Sequence, residues 1–101
     1  MKVDLDDDQR ACVLAILTAH VPNAEVWAYG SRVLGKPRKH ADLDLVVIGK
    51  NSLPMENMQR LIDAFDDSGL AFVVDVHDWH RMPENFKNEI AQKHLVMQQA
   101  K

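Results

Sequence analysis

The sequence predicts an α/β domain, with a small mixed sheet of about three strands packed by helices and residues 1–101 forming a single unit. Three observations carry this. Runs rich in β-branched, aromatic and other apolar residues stand at 25–29, 42–48 and 70–77, and a stretch of helical periodicity separates the second from the third. Turn-forming residues (Pro22-Asn23, Gly30, Gly49-Lys50-Asn51-Ser52 and Gly69) fall between them. With 47% hydrophobic and 27% charged residues, a chain of 101 residues has enough apolar surface for one core.

The first element reads Asp6-Asp7-Asp8-Gln9 and then an apolar block from Ala11 to Leu17. Asp6 with Gln9 three residues on forms a capping box, and the acidic first turn suits the helix dipole, so a helix is predicted to about His20. Its apolar block predicts a mostly buried helix in which Cys12 is a small core residue rather than a nucleophile. Glu25 to Tyr29 follows as a strand, and Gly30 ends it. Ser31 to Leu34 suits one helical turn whose N–H groups, with the Ser31 hydroxyl, would face an anion.

Asp42 to Ile48 is the clearest strand. From Leu53 to Ser68 the residues Met55, Met58, Leu61, Ile62 and Phe65 recur at helical spacing, with Ser52 as cap, Gly69 as stop and the methionines in the core. Leu70 to His77 is the third strand, and the strand-helix-strand order predicts that it runs parallel to the second through a right-handed crossover. Pro83 opens a last helix to about Gln99, with Phe86, Ile90, His94 and Met97 on one face. Trp79 and Met82 cover the core or meet a partner, and Tyr29 either stacks on a base or simply ends its strand.

A formal net charge of -3 gives no general attraction for a polyanion, so no direct nucleic-acid binding is expected. The one basic cluster is Arg32, Lys36, Arg38 and Lys39, a loop that would neutralise phosphate, meet an acidic partner or simply be solvated. A single cysteine excludes an intrachain disulfide, and no run approaches the ~20 apolar residues of a membrane span. A cytoplasmic location is the expectation. His77 and His80 lack the ligand count and the flanking cysteines of a structural zinc site.

The chemistry points to the acidic residues. Residues two apart on a strand share a face, so Asp42 and Asp44 project together, and Asp75 joins them if the third strand is level with the second. Two carboxylates about 5 Å apart repel by roughly 3 kcal/mol at an effective dielectric near 20. Magnesium, held by one or two carboxylates and completed by water and phosphate, removes that repulsion. Paired Asp at a strand start is also what a solvated strand end looks like. Gly30-Ser31 before the pair and Asp75 on another strand distinguish the two, although a slip in register would put Asp78 in place of Asp75.

Gly30-Ser31, ten residues, Asp42-Leu43-Asp44 and a later Asp75 resemble the motif of the DNA polymerase β-like nucleotidyltransferase superfamily. The Gly-Ser-Arg-x-x-Gly form of residues 30–35 and the closing Asp78-Trp79 resemble the minimal nucleotidyltransferase (MNT) antitoxins in particular. The resemblance implies the nucleotidyltransferase fold and transfer of AMP from ATP with two Mg2+ ions. The acceptor it implies is a tyrosine of a cognate HEPN ribonuclease toxin, held in a hetero-oligomer. Carried over by position, Gly30, Ser31 and Arg32 bind the nucleotide, Asp42 and Asp44 bind both metals, and Asp75 binds one metal and helps deprotonate the acceptor. Ala41 departs from the pattern, standing where the family commonly has Ser. Two alternatives remain: an antitoxin that neutralises by binding alone, and a nucleotidyltransferase for a small hydroxylated molecule, for which the chain offers no second domain to shape a pocket.

Overall fold

A computed structural model describes residues 3–34 and 42–101. Helix α1 (Asp7–His20) is capped as the sequence predicts: the Gln9 N–H donates to Asp6 Oδ1 at 2.7 Å and the Asp6 N–H to Gln9 Oε1 at 3.0 Å. Burial is narrower than expected. Only Val13 and Leu17 are fully buried, and the block that reads as apolar all round includes Ala11 and Ala15, which face solvent. Alanine is a strong helix former that loses little by exposure, so it marks helix better than it marks core. Cys12 is half-buried rather than core.

Strand β1 (Glu25–Tyr29) ends at Gly30, whose φ of 82° lies in the left-handed region that favours glycine. The short helix α2 (Ser31–Leu34) starts at once, with the Val33 N–H donating to Gly30 O at 3.0 Å. Strand β2 (Leu43–Ile48) returns antiparallel to β1, so Asp42 lies just before the ladder. Helix α3 (Met55–Asp66) begins later than Ser52 would have it. Pro54 takes the cap position without a side-chain bond, and Ser52 is exposed. Of the predicted stripe Leu61 and Phe65 are buried, whereas Met55 is 66% exposed. Gly69 has φ 78° after the helix, as a stop should.

Strand β3 (Val74–Asp78) is parallel to β2, as the crossover order predicts, and is shorter than the run that announced it. A 3₁₀ turn (Trp79–Arg81) leads to helix α4 (Glu84–Gln92), capped by Pro83, and then to strand β4 (Leu95–Gln98). The last helix therefore stops well short of Gln99, and a fourth strand takes its place. The sheet order is β3-β2-β1-β4, with β4 antiparallel to β1.

Helices α1 and α3 cover one sheet face, where Val13, Leu17, Leu61 and Phe65 meet Val26, Ala28, Leu43, Leu45, Val47, Val74, Val76 and Met97. The described residues cover the opposite face only in part. There the Trp27 ring stacks on His94 at 3.7 Å and meets Trp79 edge-on at 5.3 Å, while Val46 and Ile90 are buried apart from the main core. The remainder of that face holds the acidic residues.

Candidate active site

Two registers bring the site together. Tyr29 pairs with Asp44 across the antiparallel ladder, and Asp44 pairs with Asp75 across the parallel one. Because residues level across a sheet share a face, Tyr29, Asp44 and Asp75 form one row at the end of β1 and β2. The level register of Asp44 and Asp75 is the one that the sequence required for convergence.

Gly30 lies under this row. A Cβ built there would collide with Asp44 Oδ2 and sit 3.3 Å from Asp44 Cγ. The absent side chain and the positive φ thus serve one arrangement: the chain turns sharply into α2 while the Asp44 carboxylate rests against the turn. The N-terminal turn of α2 follows directly. The Ser31 side chain and the loop residues Lys36, Arg38 and Lys39 lie outside the described residues.

The electrostatics of the row follow from its geometry. The Asp44 carboxyl is raised above its ordinary value of 3.8, first by burial, then by the charges of Asp75 and Asp42, with His77 opposing. The Tyr29 phenol is pushed up to about 12 by burial and by the same neighbours, Asp44 and Asp75. His77, two residues after Asp75 and on the same face, places Nε2 3.1 Å from Asp75 Oδ2. That contact was not anticipated, though the i, i+2 spacing of Asp75 and His77 on one strand would have shown it.

Asp78, the residue that a register slip would have substituted for Asp75, has a different task. It is 5% exposed and belongs to the opposite alternation. Its Oδ2 accepts the Leu53 N–H at 2.7 Å and its Oδ1 the His80 N–H at 3.0 Å, with Arg81 Nε 3.6 Å away. Asp78 is a structural carboxylate that ties the end of β3 to the segment entering α3.

Arg32 is 7% exposed. Its Nη1 donates to Asp4 O at 2.8 Å, and the guanidinium lies 4.1 Å from the centroid of the Phe72 ring, a core residue. The Asp4 N–H donates in turn to Arg32 O at 3.1 Å. These contacts fasten α2 to the N-terminal segment, a role that the sequence did not suggest.

The donor set is suited to a hard divalent cation. Among the described residues no three His, Cys, Asp or Glu side chains form a cage able to hold a metal on protein ligands alone. Magnesium does not require one, since it keeps waters and takes substrate phosphate beside one or two carboxylates. The mutual repulsion of Asp44 with Asp75 and Asp42 is what such a cation would relieve.

Beside the row, on its β1 side, lies a cavity of about 250 Å³ lined by Tyr29, Gly30, Phe86, Glu89, Ile90 and Lys93. Of these, Phe86 and Ile90 were read from sequence as part of one face of a longer helix, whereas Glu89 and Lys93, the latter the residue that ends α4, were not singled out. Their position at a cavity depends on where α4 packs.

Comparison with known proteins places the chain in a family. The family Polymerase beta, Nucleotidyltransferase matches residues 14–101. The probable protein adenylyltransferase MntA of Haemophilus influenzae is 39% identical over 98 residues, covering 97% of this chain and 86% of that protein. A crystal structure of a toxin-antitoxin with AMP-PNP has the same fold, with a TM-score of 0.67 at 18% identity, over 91% of this chain and 74% of that one. The family match over residues 14–101 and the 39% identical relative show that the chain belongs to the polymerase beta nucleotidyltransferase family, in its minimal, MntA-like branch.

Proposed function

We propose that this nucleotidyltransferase is an antitoxin that moves AMP from ATP onto a tyrosine of a cognate HEPN toxin, in the cytoplasm and with magnesium, and thereby silences it. The observation that carries the reading is the level pairing of Asp44 with Asp75 above Gly30, which gives carboxylates on two strands beside a helix N-terminus. The name of the Haemophilus influenzae relative and the nucleotide analogue in the toxin-antitoxin structure support it. That none of the described helices is long and apolar enough to cross a membrane is compatible with the cytoplasm.

In this reading Gly30 and Ser31 cradle the triphosphate, and Arg32 keeps that turn fixed to the N-terminal segment. Asp42, Asp44 and Asp75 hold Mg2+, which when bound neutralises the phosphates and lowers the barrier to in-line displacement. Asp75 lies on β3, an edge strand of the sheet among the described residues, and in this reading the partner's hydroxyl reaches it from that edge. The acceptor oxygen attacks the α-phosphorus, the bond to the β-phosphate oxygen breaks, and pyrophosphate leaves. Asp75 takes the acceptor proton. In this reading His77, 3.1 Å from Asp75 Oδ2, restrains that carboxylate.

The test is incubation of the protein with labelled ATP, magnesium and the product of the neighbouring gene. Label is expected on a tyrosine of that partner, and Asp44→Asn is expected to reduce labelling by at least about 100-fold and to abolish neutralisation. Neutralisation that survives Asp44→Asn would replace this reading with an antitoxin that acts by binding alone.

A further inference from the structure

The acidic row has an exposed apolar neighbour on the β3 side. Val73, the residue before β3, is 61% exposed. Along this stretch Val73, Asp75 and His77 are exposed while Phe72, Val74 and Val76 are buried, so Val73 and Asp75 share a face with their Cα atoms about 6.5 Å apart. Leu43 is level with Val74, which sets Val73 beside Asp42. Next to Val73 lies a cavity of about 350 Å³, lined by Phe65 and Asp66 at the end of α3, by Leu70 and by the chain entering β3.

The strand is open along its other side. The Leu43 N–H donates to Val73 O at 2.9 Å, so residues 73, 75 and 77 turn their backbone groups to β2, and Val74 and Val76 turn theirs to an edge that no described strand pairs. An open edge is a template for another chain, and this one carries no lysine or proline against it. Among the described residues the exposed charge around Val73 has one sign. Asp66 lines the cavity, Asp67 caps α3, and the last turn of that helix has no basic residue. Arg32, against Phe72, is buried. Carboxylates at a helix C-terminus are disfavoured by the helix dipole, so Asp66 and Asp67 do not serve α3 itself. With Asp42 and Asp75 they frame an apolar spot in negative charge, the complement of a basic segment.

We propose that this edge docks the acceptor protein through a basic, extended segment that adds to β3 as a further strand. Its hydroxyl stands level with Asp75, and an apolar residue two positions away lies against Val73 and the cavity. One alternation sets both contacts, because residues two apart on an added strand fall on the same face. Basic side chains on the flank meet Asp66 and Asp67. The inference rests on the proposed transfer to a protein acceptor and adds how that acceptor is recognised. Backbone pairing with Val74 and Val76 supplies affinity, and the apolar-x-tyrosine spacing with flanking positive charge supplies specificity. None of these groups belongs to the Gly-Ser turn, so acceptor and nucleotide binding are separable.

The probe is the product of the neighbouring gene. Its affinity is measured for the unsubstituted protein, for Val73→Lys and for the double variant Asp66→Lys/Asp67→Lys, alongside the affinity of each for ATP in magnesium. All three positions are exposed, and unchanged melting temperatures check that the fold is kept. Each variant is expected to bind the partner at least about tenfold more weakly, with ATP affinity unchanged. Added salt is expected to weaken the unsubstituted protein's binding more than the double variant's. Equal partner affinity in all three proteins would overturn the docking edge and leave the transfer reading standing. Unchanged partner affinity with altered self-association would likewise overturn it, and would give the edge to a second copy of the chain. Weakened binding by the variants, with no labelling by the unsubstituted protein, would uphold the docking edge and overturn the transfer reading. Absence of partner binding by the unsubstituted protein would overturn both.

Discussion

A single methyl group at position 30 is enough to disturb the site. Gly30 combines a φ of 82° with a Cβ position already occupied by Asp44 Oδ2, so Gly30→Ala faces backbone strain and a collision together. The carboxylate has to swing away or the turn has to open. Gly30→Ala is expected to cost about 1–3 kcal/mol of stability in urea titration and to lower transfer more than tenfold, because the displaced group is the central carboxylate of the row. A variant with wild-type labelling would show that the Asp44 position is not required. Much at this scale was legible in sequence: Gly30-Ser31, Asp42, Asp44 and Asp75 stand out by spacing alone. Arg32 and Asp78 stood out too, Arg32 as a phosphate-binding candidate and Asp78 as the register alternative to Asp75, but their packing roles did not, since a buried guanidinium on Phe72 and a buried carboxylate on the Leu53 N–H depend on where distant segments pack.

Among the elements, the joint between β3 and α3 has the clearest mechanical logic. Asp78 leaves the sheet on the core face and accepts two backbone N–H groups, from Leu53 and His80. Replacing it with Ala strands both donors in a place that is 5% exposed, so Asp78→Ala is expected to cost about 3 kcal/mol in chemical denaturation. Residual labelling by the folded fraction is expected to persist, in contrast with Asp44→Asn. Strand β4 is the element that the sequence concealed. Phe86, Ile90, His94 and Met97 keep helical spacing with no Gly or Pro between them, so nothing local announces the break at Lys93. Leu95 to Gln98 become a strand because β1 offers an unpaired edge, and Gln98 Nε2 donates to Val21 O at 2.8 Å and Ala24 O at 3.0 Å. Pairing partners 67 to 72 residues away in sequence outweighed a local helical pattern, as tertiary context often does (Ala28↔Leu95, 95 − 28 = 67; Val26↔Gln98, 98 − 26 = 72).

For the whole molecule, the site places a cost on stability that varies with pH. The Asp44 carboxyl binds its proton more tightly in the folded chain than in the unfolded one, because burial, Asp75 and Asp42 all disfavour its charge. Its favourable contribution is therefore complete below the ordinary value of 3.8 and is lost as pH rises through the higher folded value. With the group partly exposed and screened, Asp44→Asn is expected to raise the metal-free melting temperature by about 2–4 °C at pH 7, with the gain shrinking toward pH 4. Magnesium is expected to stabilise the unsubstituted protein and not the variant. Equal melting curves at pH 7 would show that the row carries no net repulsion.

The register of β1 has one more consequence, in the order in which the chain closes on itself. Tyr29 meets Asp44 across 15 residues (44 − 29 = 15) and Asp44 meets Asp75 across 31 (75 − 44 = 31), whereas β4 reaches β1 only across 67 or more. Loop-closure entropy grows with the length enclosed, so the row is cheaper to assemble than the strand that flanks it. A folding chain can therefore bring Tyr29, Asp44 and Asp75 level before β4 docks, and β4 then closes the sheet beside a site that is already set.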